Sequence, residues 1–137
     1  MIAVDTNVLV RLLVEDDERE AATARELVAT ARENQEPVLV TAPVLCELEW
    51  VLKSAYHATR KDIAKAVEAF LDDGTFLVDG RESVVEALTH YRETAADLSD
   101  CLIAAIARRA GARTTATFDR RLGRVPGCTV LRAGRRT

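Results

Sequence analysis

The sequence predicts a single α/β domain, a three-layer α/β/α sandwich with a central parallel sheet. Short apolar segments alternate with longer segments of helical periodicity along the chain, which is typical of repeated strand–helix–strand units. The apolar segments show little alternation with polar residues, as expected for strands that are covered on both faces. The chain has 137 residues, a length that suits one domain with one hydrophobic core.

Five short strands are predicted, at residues 2–4, 38–41, 76–79, 114–118 and 128–131. The first strand is expected to be buried on both faces and to end at Asp5. Thr6 or Asn7 is then expected to cap the helix that follows, because both residue types favour that position. The turn Pro126-Gly127 leads into the last strand.

Six helices are predicted, at residues 8–14, 19–34, 44–56, 60–72, 81–94 and 99–107. Thr59 and Asp62 resemble a capping box that opens the fourth helix, and Gly111 is expected to end the sixth. The sixth helix is nearly all apolar, which predicts burial at the centre of the molecule. The predicted inner faces comprise Ala22, Leu27, Val28 and Ala29 in the second helix, Val44, Leu45, Leu48, Val51 and Leu52 in the third, and Val84, Val85, Ala87, Leu88 and Tyr91 in the fifth.

The net charge of −3 hides an uneven distribution of charge. Residues 1–100 hold 10 basic and 21 acidic residues, whereas residues 101–137 hold nine arginines and one acid. A basic C-terminal quarter on an acidic protein indicates a local site for a polyanion. The alternative is a solvated arginine-rich tail, which is preferred for residues 132–136. We expect one domain over residues 1–132 and a flexible basic tail over residues 133–137.

Several classes of protein are disfavoured by what the sequence lacks. No apolar segment approaches the roughly 20 residues that span a bilayer, and the N-terminus lacks a signal peptide, so a cytoplasmic location without membrane association is expected. Cys46, Cys101 and Cys128 have no CxxC spacing, which favours reduced thiols over zinc ligands or disulfides. His57 and His90 are expected at the surface. No glycine-rich phosphate loop is present, which disfavours nucleotide-cofactor roles.

Four acidic residues occupy positions where the predicted fold buries side chains. Asp5 and Asp119 each follow a strand, Glu47 lies within an apolar helix, and Asp100 opens the most apolar helix of the chain. In an open α/β sheet, ligands bind at the carboxyl ends of the strands. Each acid also has an ordinary explanation, because the three aspartates could be helix N-caps and Glu47 could lie on a solvated helix face.

A metal site is the functional explanation of these acids. Buried carboxylates are costly unless they are paired or bound to a cation, and Mg²⁺ and Mn²⁺ prefer hard oxygen ligands. Glu47 and Glu49 are about 200° apart around their helix, so they cannot both face one ion. Glu47 is chosen because it shares a face with Val44 and Val51. Asp97 precedes Asp100 by three residues and is a candidate supporting residue.

Four segments resemble the motifs of PIN-domain ribonucleases, and the chain length is similar to that of the VapC toxins of bacterial type II toxin–antitoxin modules. The segments are VDTNVL at residues 4–9, CEL at 46–48, SDCLIA at 99–104 and TFDR at 117–120. They have the expected order and plausible separations, and the resemblance covers almost the whole chain. Any one of these motifs is weak, whereas the four together are specific.

The resemblance implies a compact α/β/α fold and Mg²⁺- or Mn²⁺-dependent cleavage of RNA. It assigns catalytic and metal-binding roles to Asp5, Glu47, Asp100 and Asp119. It further implies a cognate VapB antitoxin that blocks the site, and a homodimer. Many relatives have Asn at the position of Asp119, so the resemblance leaves open whether Asp119 binds the metal directly or through water.

Further residues are predicted to support this site. By resemblance, Asn7 and Thr117 match polar residues that support the acids. Arg108, Arg109, Arg120 and Arg121 are candidates for phosphate contacts, because two of them directly follow Asp119.

The predicted activity is endoribonuclease cleavage of RNA by water that the metal activates. One alternative is a catalytically silent PIN-like module that binds RNA or protein, although the presence of all four acids counts against it. Another is a metal-dependent phosphatase with Asp5 as nucleophile. Such enzymes usually carry a second acid two residues further on, where this chain has Asn7.

Overall fold

The computed structural model describes residues 1–134, in which strands and helices alternate in the predicted order. Contacts between residues divide the chain into two compact units, Met1–Arg81 and Glu82–Thr137. The organisation of residues 1–132 as one domain therefore stays a prediction. Of the predicted basic tail, residues 135–137 lie outside the described part of the chain.

The first unit contains a parallel sheet of three strands. Its elements are β1 (Ile2–Ala3), α1 (Thr6–Leu13), α2 (Glu18–Glu33), β2 (Val38–Val40), α3 (Ala42–Ala55), α4 (Arg60–Asp72) and β3 (Phe76–Val78). The strand order is β1-β2-β3, with Ile2 opposite Val38 and Val38 opposite Phe76. The predicted α/β class with parallel strand pairing is confirmed.

The burial predicted for β1 is only partly correct. Val4, which directly follows the strand, is buried, whereas Ile2 is half-buried and Ala3 is exposed. In its sheet β1 is an edge strand, paired with β2 alone. Successive side chains of a strand point to opposite faces of the sheet, so Ala3 lies on the less covered face, and the prediction of burial on both faces is wrong for this residue.

Packing of α1 against α2 and α3 forms part of the core of the first unit. Leu9 of α1 and Leu45 and Leu48 of α3 are fully buried. In α2 the predicted apolar stripe is wrong except at Val28. The buried residues of that helix are Ala21, Ala24, Val28 and Ala31. They are spaced by three or four residues, so they form a second stripe of helical period in an alanine-rich helix, and packing selects this stripe.

Helix α4 begins as the sequence predicts. The Thr59 side chain accepts a hydrogen bond from the backbone N–H of Asp62, and the Asp62 side chain accepts one from the backbone N–H of Thr59. This capping box satisfies two backbone donors that the first turn of the helix cannot satisfy. The box is therefore confirmed, with the helix ending at Asp72 as predicted.

The second unit contains two helices and a parallel pair of strands. Its elements are α5 (Arg81–Glu93), which begins at the last residue of the first unit, α6 (Leu98–Arg109), β4 (Thr115–Thr117), a short 3-10 helix (Leu122–Arg124) and β5 (Cys128–Val130). Thr115 lies opposite Cys128, and Thr117 lies opposite Val130. Gly111 adopts a φ of 99° just after α6, which confirms its predicted role at the helix end.

Helix α6 is not buried on all sides, contrary to its prediction. Cys101, Leu102 and Ala105 are buried, but Ile103 and Ile106 are 53% and 47% exposed. On α5, Val85 is likewise exposed rather than part of the inner face. Neighbouring elements cover only one stripe of α5 and of α6. The apolar content of a helix therefore overestimates how much of it is buried.

Two further sequence expectations can be compared with the described residues. None of the three cysteines is in a disulfide within residues 1–134; Cys101 is buried, and Cys46 and Cys128 are half-buried. His57 is exposed as predicted, whereas His90 is half-buried, with an Nδ1 atom that lacks a hydrogen-bond partner among these residues. None of the helices in the described chain combines the length and apolar character needed to cross a membrane.

Replacing Gly123 by Ala is expected to destabilise the protein by about 1–3 kcal/mol. A Cβ atom at this position would clash with Cγ2 of Val130 in β5, and valine has little rotamer freedom to move away. The free energy of unfolding in urea measures the loss. Gly74→Ala is the matched control, because a Cβ there meets nothing within 4 Å. Equal stabilities of the two variants would contradict the assignment of close packing between Gly123 and Val130.

Candidate active site

Asp5 lies at the junction of β1 and α1 and caps the helix. Its Oδ1 atom accepts a hydrogen bond of 2.7 Å from the backbone N–H of Thr6. The prediction that Thr6 or Asn7 caps this helix is wrong, since α1 already begins at Thr6. The Asp5 side chain is exposed, and no described residue donates a hydrogen bond to its Oδ2 atom. Capping therefore orients the carboxylate and leaves one oxygen available for a ligand.

Thr6 connects the Asp5 turn to Glu47. The buried Thr6 hydroxyl donates a hydrogen bond of 2.8 Å to Oε2 of Glu47 on α3. The first and second predicted acids thus lie on either side of one threonine. From the sequence, Thr6 is predicted only as a possible helix cap. A supporting role could have been predicted from its position, directly after an acid that ends a strand and at the start of the next helix.

The choice of Glu47 over Glu49 has a different basis from the one predicted. Glu47 is exposed, whereas Glu49 is 5% exposed and is the buried acid of α3. The burial argument for Glu47 is therefore wrong, because the helix turns Leu45, Leu48 and Leu52 inward. The hydrogen bond from Thr6 now supports Glu47 instead, since it holds this carboxylate beside the turn that contains Asp5.

In the second unit, Asp97 and Asp100 lie at the start of α6. Asp97 occupies the N-cap position and Asp100 is the third residue of the helix. The explanation of Asp100 as an N-cap is therefore wrong. Residues three apart lie on adjacent positions of one helix face, so the two carboxylates are neighbours in the first turn.

Asp119 is held in a turn that follows β4. Its backbone N–H donates to Thr117 Oγ1 at 3.0 Å, and its Oδ1 atom accepts from the backbone N–H of Arg121 at 2.8 Å. The explanation of Asp119 as a helix N-cap is wrong, because Arg121 occupies the N-cap position of the 3-10 helix and Asp119 lies in the turn before it. Thr117 contacts Asp119 directly, as a supporting residue would.

Electrostatic repulsion links three acids of the second unit. Burial raises the pKa of the Asp100 carboxyl, and the carboxylates of Asp97 and Asp119 raise it further. Burial and the Asp100 carboxylate also raise the pKa of the Cys128 thiol. A thiol with a raised pKa stays protonated and is a poor metal ligand. The available donors are therefore carboxylate oxygens, which suit a hard divalent cation better than zinc.

The described residues do not form a closed metal cage. Within residues 1–134, no three side chains of histidine, cysteine, aspartate or glutamate form a ready-made metal-binding group. Mg²⁺ characteristically retains several waters and takes only one or two carboxylates from the protein. The two acidic groups are Asp5 and Glu47 in the first unit and Asp97, Asp100 and Asp119 in the second. Their oxygen donors fit such an ion. A cluster of four carboxylates stays a prediction.

The PIN-domain family model matches residues 2–127. The chain belongs to the PIN-domain family. It is also similar to a VapC ribonuclease of Aquifex aeolicus (strain VF5), with 28% identity over 130 residues, which is 95% of this chain and 96% of that protein. The predicted family resemblance and fold class are therefore confirmed.

The four arginines predicted to contact RNA differ in whether their side chains form ion pairs. Arg108 forms a bidentate ion pair with Glu86 on α5, and its hydrogen bonds lower the pKa of the Glu86 carboxyl. Arg109 pairs with Glu82 at 2.8 Å. Arg120 and Arg121 are exposed, and their side chains make no ion pair within residues 1–134. Arg108 and Arg109 are thus engaged by acids of α5, and phosphate contact by any of the four arginines stays a prediction.

Asn7 is exposed on the first turn of α1 and lines a groove of about 390 Å³ between α1 and α2. Its side chain makes no hydrogen bond to the described residues. The predicted supporting role of Asn7 therefore stays a prediction.

Replacing Asp100 by Asn is expected to stabilise the metal-free protein at neutral pH. The carboxyl has a pKa above its usual range in the folded state, so the stability contributed by this group falls as pH rises from that range through the raised pKa. The asparagine variant removes this loss, and its melting temperature should exceed that of the wild type. The difference should disappear in acid, where Asp100 is protonated in both states.

Asp79→Asn serves as the control for the change in net charge, because Asp79 is exposed and lies outside both acidic groups. A lower melting temperature for Asp100→Asn at neutral pH would contradict the repulsion inferred here.

Proposed function

We propose that this PIN domain is a metal-dependent endoribonuclease and the toxin of a VapBC-type toxin–antitoxin module. The observation that carries the proposal is the Asp100 carboxyl at the start of α6, whose pKa is raised by burial and then by the carboxylates of Asp97 and Asp119. Such a group favours the binding of a cation. Family membership and the similarity to a VapC ribonuclease favour RNA as the substrate.

The metal ligands in this proposal are Asp5, Glu47, Asp100 and Asp119, either directly or through water. Their hard oxygen donors suit Mg²⁺ or Mn²⁺. When bound, such an ion would supply an activated water and neutralise charge on the scissile phosphate.

The remaining chemistry belongs to the residues that hold these acids. Thr6 orients two of them, because its backbone N–H binds Asp5 and its hydroxyl binds Glu47. Thr117 and the backbone N–H of Arg121 fix the turn and the side chain of Asp119. Carboxylates fixed in advance need not be ordered when a cation and a phosphate arrive, which favours catalysis. Thr6 is thus a positioning residue of the proposed site.

The proposed partners follow from the VapC similarity. They are an RNA substrate, a VapB-type antitoxin that blocks the site, and a second copy of the chain in a homodimer. A cytoplasmic location is part of the same proposal.

The alternative of a catalytically silent binding module predicts RNA or protein binding without turnover. It has less support, because all four acids of the proposed metal site are present in the chain. A phosphatase with Asp5 as nucleophile also has less support, since Asn7 stands where its second acid is needed.

Analysis of the RNA products tests the proposed chemistry. Attack by water predicts linear phosphate ends that incorporate heavy oxygen from labelled water. Attack by the ribose hydroxyl would instead produce cyclic phosphates and would contradict the proposal. Persistence of intact RNA with measurable binding would favour the silent module.

A further inference from the structure

Phe118 is the most exposed of the large apolar side chains in residues 1–134. Its exposed fraction is 73%, and it lies directly between Thr117, the last residue of β4, and Asp119. Single exposed apolar residues are ordinary on protein surfaces. Phe118 differs from the others in its neighbours, which are a proposed catalytic acid and a group of unpaired arginines.

The backbone on both sides of Phe118 is fixed. Thr117 accepts two hydrogen bonds, one from the backbone N–H of Asp119 to its hydroxyl and one of 2.7 Å from Leu131 to its carbonyl. Asp119 in turn accepts the N–H of Arg121. The aromatic ring is therefore presented from a constrained turn rather than from a loose loop, so a partner that binds the ring does not have to order the segment first.

Three arginines follow Phe118 within residues 118–124. Arg120, Arg121 and Arg124 are exposed, and their side chains form no ion pair with any described residue. Arg108 and Arg109, by contrast, are paired with acids of α5. The two arginines of α6 are thus held in ion pairs, whereas the three arginines that follow Phe118 in sequence are not.

We propose that residues 118–124, here called the Phe118 surface, bind the RNA substrate as a single strand. A nucleobase stacks on the Phe118 ring, and the three arginines contact phosphates along the strand. An exposed aromatic ring next to cations that bind the backbone is typical of single-stranded nucleic-acid sites, because every base offers a face for stacking. The arginines favour this polyanion over a protein partner. The inference rests on the proposed function and identifies how that substrate is held.

Binding of a labelled, unstructured oligoribonucleotide in EDTA tests the stacking contact without cleavage. Phe118→Leu removes the aromatic face while keeping apolar bulk, and we expect RNA affinity to fall about tenfold. Phe118→Tyr keeps the aromatic face and should retain the affinity of the wild type. Val85→Ala is the matched control, because Val85 is an exposed apolar residue of the same unit. Its RNA affinity should not change.

The salt dependence of binding tests the arginines separately. Replacing Arg120, Arg121 and Arg124 by Gln should reduce the slope of log affinity against log salt by about two, since each phosphate contact to a single strand contributes about 0.7. Arg108→Gln should leave the slope unchanged.

Two results would overturn the inference: equal RNA affinity of Phe118→Leu and wild type, or an unchanged salt slope in the triple arginine variant. Absence of RNA binding at low salt would also overturn it. Equal affinity in Phe118→Leu would leave this surface available to a protein partner. Failure of the proposed function is distinguishable, because it would appear as metal-independent or absent cleavage while the effects on binding remained.

Discussion

Replacing Asp5 by Asn should reduce the rate of RNA cleavage about a thousandfold and leave the fold intact. A bound divalent ion contributes several kcal/mol to transition-state stabilisation, and each 1.36 kcal/mol corresponds to about a tenfold change in rate. The asparagine amide lacks the negative charge that attracts the ion. It can still accept the hydrogen bond from Thr6, because asparagine caps helices about as well as aspartate.

Asp17→Asn provides the matched control for this variant. Asp17 caps α2 by accepting the backbone N–H of Glu20 at 3.0 Å, so it has the same local role as Asp5 without a proposed role in the site. We expect wild-type cleavage from Asp17→Asn and a similar melting temperature for both variants. Wild-type cleavage by Asp5→Asn, or equal losses in the two variants, would remove Asp5 from the active site.

Glu47→Gln should lower cleavage by about two to three orders of magnitude, for the same electrostatic reason. The glutamine side chain keeps an oxygen that can accept the Thr6 hydroxyl, so the local geometry should survive. Stability should therefore change little. RNA cleavage and urea unfolding, measured on the same preparation, separate the two effects.

Glu49→Gln is the informative comparison, because it changes the neighbouring acid of the same helix. Glu49 is buried, and removing the charge from a buried carboxylate that has partners costs about 1–3 kcal/mol of stability. The remaining folded protein should cleave RNA as the wild type does. The opposite pattern is loss of activity in Glu49→Gln and normal activity in Glu47→Gln. It would show that Glu49, and not Glu47, belongs to the active site.

The order of elements could be predicted because it depends on local signals. Apolar runs, the capping box at Thr59 and the glycine after α6 act over a few residues, and the structure confirms them. The stripe that α2 buries could not be predicted, because an alanine-rich helix offers several stripes of the same period. Packing partners, which lie far away in sequence, decide between them.

The candidate acids were selected by residue type and position in the chain, and the metal site that they would form stays a prediction. The structure does bring Asp5 and Glu47 to the same threonine. Glu47 was selected from a burial pattern that the structure contradicts, and Thr6 was not recognised as the residue between two acids. Both depend on a hydrogen bond across 41 residues of sequence. Similarly, the ion pairs that occupy Arg108 and Arg109 depend on the packing of α5 beside α6 and have no signal within the arginine-rich segment itself.

Dependence of cleavage on added metal tests the central proposal most directly. Protein treated with EDTA and then freed of the chelator should leave a single-stranded RNA intact, and addition of Mg²⁺ or Mn²⁺ should restore cleavage in the wild type but not in Asp5→Asn. Contact of the metal with the acids predicts this recovery. Equal cleavage with and without the divalent ion, from a preparation shown to be metal-free, would contradict the account.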